Sequence, residues 1–254
     1  MVRTITGTPC WYELATSDLD GAAQFYQSLL GWSVDSADMP GFDYRLARQG
    51  GAMVAGMMAA TSGTPPGWAF YVTVQDCYAA AKSAAAAGGR IYQQPTDIPG
   101  TGHFAMLGDP QGAAFGVLQM LDDDGAAFNP QKPGHGSWHE LMTSDPTGAM
   151  AFYGDTFGWQ PSTSMDMGPM GSYDLFGHRG TDIGGMMKQA PGMPGPDHPF
   201  WLPYFAVKSV DAAIARTKEA GGTTLHGPRE VPGGLFIMLG KDPQGALFAL
   251  SGPK

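Results

Sequence analysis

Two carboxylates open the functional question, because each stands at the same place in a repeated phrase. Glu13 lies in Trp11-Tyr12-Glu13-Leu14-Ala15-Thr16-Ser17-Asp18, and Glu140 lies 127 residues on, in Trp138-His139-Glu140-Leu141-Met142-Thr143-Ser144-Asp145. In both phrases an indole two positions earlier shares the carboxylate's face of a strand, since side chains alternate with period two. A carboxylate facing inward is costly unless it is paired, hydrogen-bonded or wet. Such a group can accept a hydrogen bond from a ligand or serve as base on a carbon acid, with a pKa raised by aromatic surroundings. Its structural alternative is to accept from backbone or a nearby tyrosine and simply fix the sheet. Glu13 and Glu140 are the catalytic candidates, and Trp11 and Trp138 offer stacking area to an aromatic or cationic ligand.

The elements that would position these groups are also written twice. Gly21-Ala22, Phe25-Tyr26 and Gly31-Trp32 return as Gly148-Ala149, Phe152-Tyr153 and Gly158-Trp159 at the same offset of 127; Gly88-Gly89 and Asp109-Pro110-Gln111-Gly112 return as Gly221-Gly222 and Asp242-Pro243-Gln244-Gly245 at 133. Two copies of one module, differing by a short insertion, account for both offsets, so a site built by one copy should have a partner in the other.

Each copy opens on a short strand, Cys10 to Thr16 or Ser137 to Thr143. The helix after it is capped by Ser17 or Asp18, or by Ser144 or Asp145, and stopped by Gly31 or Gly158. Strands follow around 44–47 and 52–58, matched by 173–176 and 182–187. A further strand, 69–74 or 202–207, leads to a second helix with Asp76 or Asp211 as its cap and Gly88 or Gly221 at its end. Two strands then flank the Asp-Pro-Gln-Gly segment, which predicts a type I turn. The polar stretch 120–134, with Asp122-Asp123-Asp124-Gly125, reads as a linker.

Parity sorts the faces. Leu14, Leu141, Phe115, Val117, Phe248 and Leu250 belong under the helices, which leaves Trp11, Glu13, Ala15, Trp138, Glu140, Met142, Gly116 and Ala249 on the opposite face. Val72 and Phe205 likewise put Tyr71 and Tyr204 there. Aromatic and acidic groups among small residues suit a concave binding surface, so Tyr71 and Tyr204 join the ligand-binding candidates. The methionines Met57-Met58, Met186-Met187, Met165, Met167 and Met170 could form a soft pocket wall or core filler.

The bulk chemistry excludes several classes. A formal charge of -9, with no basic run, argues against nucleic acid and anionic membrane as partners. Met1 to Ile5 lacks an apolar signal region, and no apolar run nears the roughly 18 residues a span requires. Cys10 and Cys77 have no counterparts across the repeat, which predicts a reducing, cytoplasmic setting. No phosphate-cradling glycine loop or nucleophile elbow is present. His139 replaces Tyr12 on the outer face, and the remaining histidines are scattered.

The order and spacing of the Phe-Tyr helices, the Leu-Gly-Trp and Phe-Gly-Trp helix ends, the Gly-Gly pairs and the Asp-Pro-Gln-Gly turns resemble the vicinal oxygen chelate superfamily of glyoxalase I, bleomycin-resistance proteins and extradiol dioxygenases. The resemblance implies an α+β fold: two tandem glyoxalase-like modules of paired βαβββ units, residues 7–119 and 135–252, forming curled mixed sheets with helices on the outer face. Metal-using members carry ligands at positions that here hold Trp11, Ala69 and Gly116, and Trp138, Leu202 and Ala249. The remaining ligand position falls in 53–58 or 182–187, where Asp182 stands alone. Holding a divalent ion takes three or four donors, so no metal and no other cofactor is expected, with the indoles filling the vacated space as the alternative to stacking. The resulting expectation is a protein that binds a small organic molecule in an aromatic cup, as a monomer or homodimer. A lyase, isomerase or dioxygenase using Glu13 or Glu140 as base is the rival, and a regulatory or partner-binding use of the fold is the third possibility.

Overall fold

The computed structural model describes residues 6–39, 41–61, 63–121 and 126–254; the acidic run 122–125 and the start of the chain lie outside them. The first copy supplies β1 (Pro9–Thr16), α1 (Leu19–Leu30), β2 (Ser33–Ser36), β3 (Tyr44–Gln49), β4 (Ala52–Ala59), β5 (Gly67–Thr73), α2 (Cys77–Ala86), β6 (Arg90–Ile98), β7 (Gly102–Gly108) and β8 (Ala114–Met120). The second supplies β9 (Gly136–Thr143), α3 (Pro146–Phe157), β10 (Gln160–Asp166), a 3-10 turn (Gly168–Met170), β11 (Ser172–His178), β12 (Thr181–Lys188), β13 (Phe200–Ala206), α4 (Val210–Glu219), β14 (Thr223–Val231), β15 (Leu235–Lys241) and β16 (Leu247–Gly252). The fold is α+β, with two mixed eight-stranded sheets ordered β2-β3-β4-β1-β5-β8-β7-β6 and β10-β11-β12-β9-β13-β16-β15-β14.

The sheets follow the repeat, whereas compact packing exchanges halves. One unit comprises Met1–Cys10, Ala69–Gly125 and Trp138–Trp201; the other comprises Trp11–Trp68, Ala126–Ser137 and Leu202–Lys254. In the latter, Phe25 and Tyr26 of α1 meet Phe248 of β16, beside Trp32, Trp68 and Phe205. In the former, Phe152, Tyr153 and Phe157 of α3 surround Phe115 of β8, with Trp159, Phe176 and Trp201 beyond. All these rings are buried. Burying each stabilises by about 2–3 kcal/mol, and edge-to-face contacts add to it.

The caps show why the helices start where they do. Asp18 and Asp145 accept from the backbone N–H of Gly21 and Gly148 at 3.0 Å each, and Asp76 accepts from Ala79 at 2.9 Å. Gly31 and Gly158 end α1 and α3 at φ 74° and 72°, in left-handed backbone that suits glycine. The fourth helix corrects an expectation: Ser209, not Asp211, is its cap, with Oγ accepting from Ala212 N–H at 3.2 Å. The helix starts two residues earlier than the sequence suggests, and Asp211 falls in the first turn, where a negative charge still favours the dipole.

Candidate functional site

The side-chain parity of the first strands decides what faces away from the helices. In β1, Cys10, Tyr12, Leu14 and Thr16 are buried, while Trp11, Glu13 and Ala15 are part-exposed. Glu13 lies beside Gly56 of the parallel strand β4. Across the next pairing Gly56 meets Leu46, and Tyr44 meets Met58, so Trp11, Glu13, Ala15, Tyr44 and Met58 share a face.

On that face Trp11 Nε1 donates to the Tyr44 hydroxyl at 3.1 Å, and the hydroxyl donates to Glu13 Oε2 at 2.8 Å. The other unit repeats the arrangement: Trp138 Nε1 donates to the Tyr173 hydroxyl at 2.9 Å, which donates to Glu140 Oε2 at 3.2 Å. Gly56 and Gly185 make room for it. A Cβ on Gly56 would fall inside the Tyr44 hydroxyl, and one on Gly185 would collide with the Tyr173 ring. Each tyrosine thus lies across the glycine that neighbours its glutamate. Burial, then the charge of Glu13 or Glu140, holds Tyr44 and Tyr173 well above the ordinary phenol pKa. They stay neutral and keep donating, and the carboxylate is the acceptor at the end of the relay.

Sequence reasoning did not single out Tyr44 and Tyr173. Their recurrence 129 residues apart, at the head of matched strands, was the available signal. What hid them was distance along the chain: they reach their glutamates across an intervening strand, which no local spacing reveals.

The other singled-out residues fall as follows. Tyr71 is buried, paired with Gly116 and lying over its Cα, where a Cβ would collide with the ring. Tyr204 is buried and paired with Ala249. The methionine doublets split by parity, with Met57 and Met186 fully buried under the helices and Met58 and Met187 on the relay face. Met165, opposite Tyr173, also lies on that face, whereas Met170 is exposed. His139 is fully buried, its Nδ1 2.7 Å from the Ile183 carbonyl oxygen, and burial lowers its pKa to about 4. A cavity of about 490 Å³ between α3, β10 and β11 is lined by Met150, Asp155, Trp159, Ser164, Asp174 and Met186 among others. It lies on the helix side of its sheet, and none of Trp138, Glu140 and Tyr173 lines it.

The donors do not fit a divalent ion at the expected positions. Trp11 and Trp138 spend their N–H groups on tyrosines, and Gly116 has no space for a longer side chain because Tyr71 occupies it. Leu202 and Ala249 are apolar and buried, and Asp182 is exposed. Among the described residues, no three His, Cys, Asp or Glu side chains gather as a metal site.

Strand order, duplication and the glycine-backed first strands together define a tandem-module protein, and sequence comparison names its class. The family model of the Glyoxalase/Bleomycin resistance protein/Dioxygenase superfamily matches residues 9–117 and 136–250, and the chain belongs to this superfamily. It is 36% identical over 255 residues to "Putative glyoxylase CFP32" of Mycobacterium tuberculosis, covering 97% of this chain and 95% of the relative. It is 33% identical over 267 residues to "Anthracycline biosynthesis protein DnrV" of Streptomyces peucetius, covering 98% and 94%. Among solved structures, the Mn(II)-bound glyoxalase from Novosphingobium aromaticivorans superposes with a TM-score of 0.67 at 18% identity, over 98% of this chain and 83% of the other. The 2,3-dioxygenase LapB from Pseudomonas sp. KL28 gives 0.67 at 14% identity, over 97% and 93%. These two structures establish the fold alone. Among the described residues, no helix is long and apolar enough to cross a membrane.

Proposed function

We propose that this chain binds a small organic molecule at its Trp-Tyr-Glu relays, without the metal that other members of the superfamily use. The observation that carries the reading is the relay itself. In both copies an indole stands at a position where metal-using members carry a ligand; it donates to a phenol, and the phenol donates to the carboxylate. A carboxylate held this way offers a fixed acceptor to a ligand O–H or N–H, with aromatic and thioether surface around it. Each module, 7–119 and 135–252 on either side of the linker 120–134, supplies one relay. Cys10 and Cys77 are buried thiols without counterparts across the repeat, which supports a reducing cytoplasmic setting.

Elemental analysis of purified protein and titration with Mn(II), Zn(II) and Fe(II), followed by tryptophan fluorescence, test the reading. No stoichiometric metal and no change in indole emission are expected; one tightly bound ion per module overturns it.

A second reading is favoured by the relatives named as glyoxylases: a glyoxalase-type lyase or isomerase, or a dioxygenase, with Glu13 or Glu140 as base. The Tyr44 and Tyr173 hydrogen bonds weigh against it, because donation to a carboxylate stabilises its charged form and weakens it as a base. Turnover of a dicarbonyl or catechol substrate that Glu13→Gln with Glu140→Gln abolishes would make this the better account.

A further inference from the structure

The two relays are chemically alike, but their surroundings differ at two neighbouring positions. On the same face and two residues after the glutamate, the first copy has Ala15 and the second has Met142. Ala15 pairs with Met58, and both are part-exposed; Met142 pairs with Met187, and these are only 6% and 4% exposed. Glu13 accordingly remains part-exposed, whereas Glu140 is 8% exposed. A methionine in place of an alanine, packed against a second methionine, fills the space beside the second carboxylate.

The second difference lies two residues before the relay tyrosine. Phe42 stacks on Tyr44 with ring centroids 6.0 Å apart and planes at 22°, yet it remains 45% exposed. The equivalent residue before Tyr173 is Gly171, which has φ 86° and adds no ring. An exposed phenyl ring stacked on the relay phenol gives the first copy a flat apolar wall that the second lacks.

We infer that the first-copy relay is the working site, that the second is closed by Met142 and Met187, and that Phe42 sets specificity for a planar aromatic ligand carrying an O–H or N–H donor. The ligand ring stacks along Phe42, while its donor points to Glu13, already fixed by Tyr44. This assignment rests on the binding reading above and adds which copy works and what it selects.

Equilibrium dialysis with 2-naphthol and with 2-methoxynaphthalene, which has the same rings but no donor, tests the ligand class. One equivalent of 2-naphthol is expected per chain, with the methoxy compound at least tenfold weaker. Ala15→Met, which rebuilds the second copy's plug in the first, should remove 2-naphthol binding. Phe42→Gly, at a position 45% exposed, should weaken it at least fivefold. Independently of any ligand, carbodiimide coupling read by peptide mass spectrometry should modify Glu13 well ahead of Glu140. Two equivalents bound, undiminished binding after both substitutions, no binding of either naphthalene, or equal labelling of the two glutamates overturns the inference. The metal titration is unaffected by any of these results, so failure here is distinguishable from failure of the binding reading.

Discussion

The chain builds the same hydrogen-bonded trio, tryptophan to tyrosine to carboxylate, in two kinds of place. On the relay face, Trp11-Tyr44-Glu13 ends on a part-exposed glutamate and Trp138-Tyr173-Glu140 on a buried one. In the cores, Trp68 donates to Tyr26 at 2.9 Å and Tyr26 to Asp242 at 3.1 Å; Trp201 donates to Tyr153 at 2.8 Å and Tyr153 to Asp109 at 3.1 Å. The difference is that the aspartates also bind turn backbone. Asp109 Oδ1 accepts from the backbone N–H of Gln111, Gly112 and Ala113, and Asp242 Oδ1 from Gln244 and Ala246, so these aspartates organise the Asp-Pro-Gln-Gly turns from inside. The same side-chain trio closes on turn backbone through the aspartates in the interior, and on a strand glutamate, part-exposed at Glu13 and buried at Glu140, on the relay face.

That contrast is broken most forcefully by truncating an aspartate. Asp242→Ala strands the Tyr26 hydroxyl and the turn N–H groups in the core, and by the cost of orphaned buried partners it should destabilise by about 3–5 kcal/mol. Asp109→Ala should match it. Glu13→Gln keeps an acceptor near the surface and should change stability by less than about 1 kcal/mol, while reducing ligand binding. Urea titrations of the three variants decide the point, and a core-sized loss for Glu13→Gln would erase the distinction.

Acid exposes a related difference between copies. His139 takes the place of Tyr12, is fully buried, and has its pKa lowered by burial from 6.5 to about 4. A depressed folded-state pKa gives stability that is present above pH 6.5 and lost as pH falls toward 4, because only the unfolded chain takes up the proton. The window is worth roughly 3 kcal/mol. His139→Tyr, copying the twin, should flatten the decline in thermal midpoint between pH 7 and 4; an unchanged slope would exclude this histidine as its source.

Alkali reads the four tyrosines together. Tyr26 and Tyr153 are raised well above 10 by burial and then by the charges of Asp242 and Asp109, and Tyr44 and Tyr173 are raised similarly. A raised folded-state pKa means stability that is complete below pH 10 and lost above it. For the fully buried Tyr26 and Tyr153 the decline is up to about 1.4 kcal/mol per pH unit each. Phenolate absorbance from these residues should emerge only with loss of far-ultraviolet circular dichroism. Early ionisation of two of the four would identify the relay pair as the more open.

How far this contrast was legible differs between its two halves. The helix-facing residues and the relay face of β1 and β9 follow from periodicity, because burial imposes period two on strands that have a helix on one side; the caps of α1, α2 and α3 follow from residue type, whereas that of α4 is Ser209 in place of Asp211. The strands β2, β6, β10 and β14 left no such mark: most of their residues are exposed, so no apolar alternation was selected. The glutamates and indoles could be placed on one face, but their connection through Tyr44 and Tyr173 depends on register across strands. The Asp-Pro-Gln-Gly motif was read as a turn, and its aspartates' buried role depends on helices from the other copy, a pairing that a single module's pattern does not contain.

The smallest effect gives the sharpest test, because it alters no polar group. Gly56→Ala places a methyl where the Tyr44 hydroxyl lies, and Gly185→Ala does the same beneath the Tyr173 ring. Alanine is otherwise the better strand residue, by roughly 0.5–1 kcal/mol, so the backbone gain offsets part of the steric cost. Ala15 and Met58, which flank the first relay, are part-exposed, so Gly56→Ala should leave stability within about 1 kcal/mol of the parent. Tyr173 sits between Met165 and Met187, with less room to move, and Gly185→Ala should cost about 1–3 kcal/mol through overpacking. Displacing Tyr44 breaks its hydrogen bond to Glu13, and 2-naphthol binding should fall with it. Equal melting shifts for the two alanine variants would show that the copies are equally closed, and retained binding in Gly56→Ala would show that the carboxylate works without its tyrosine.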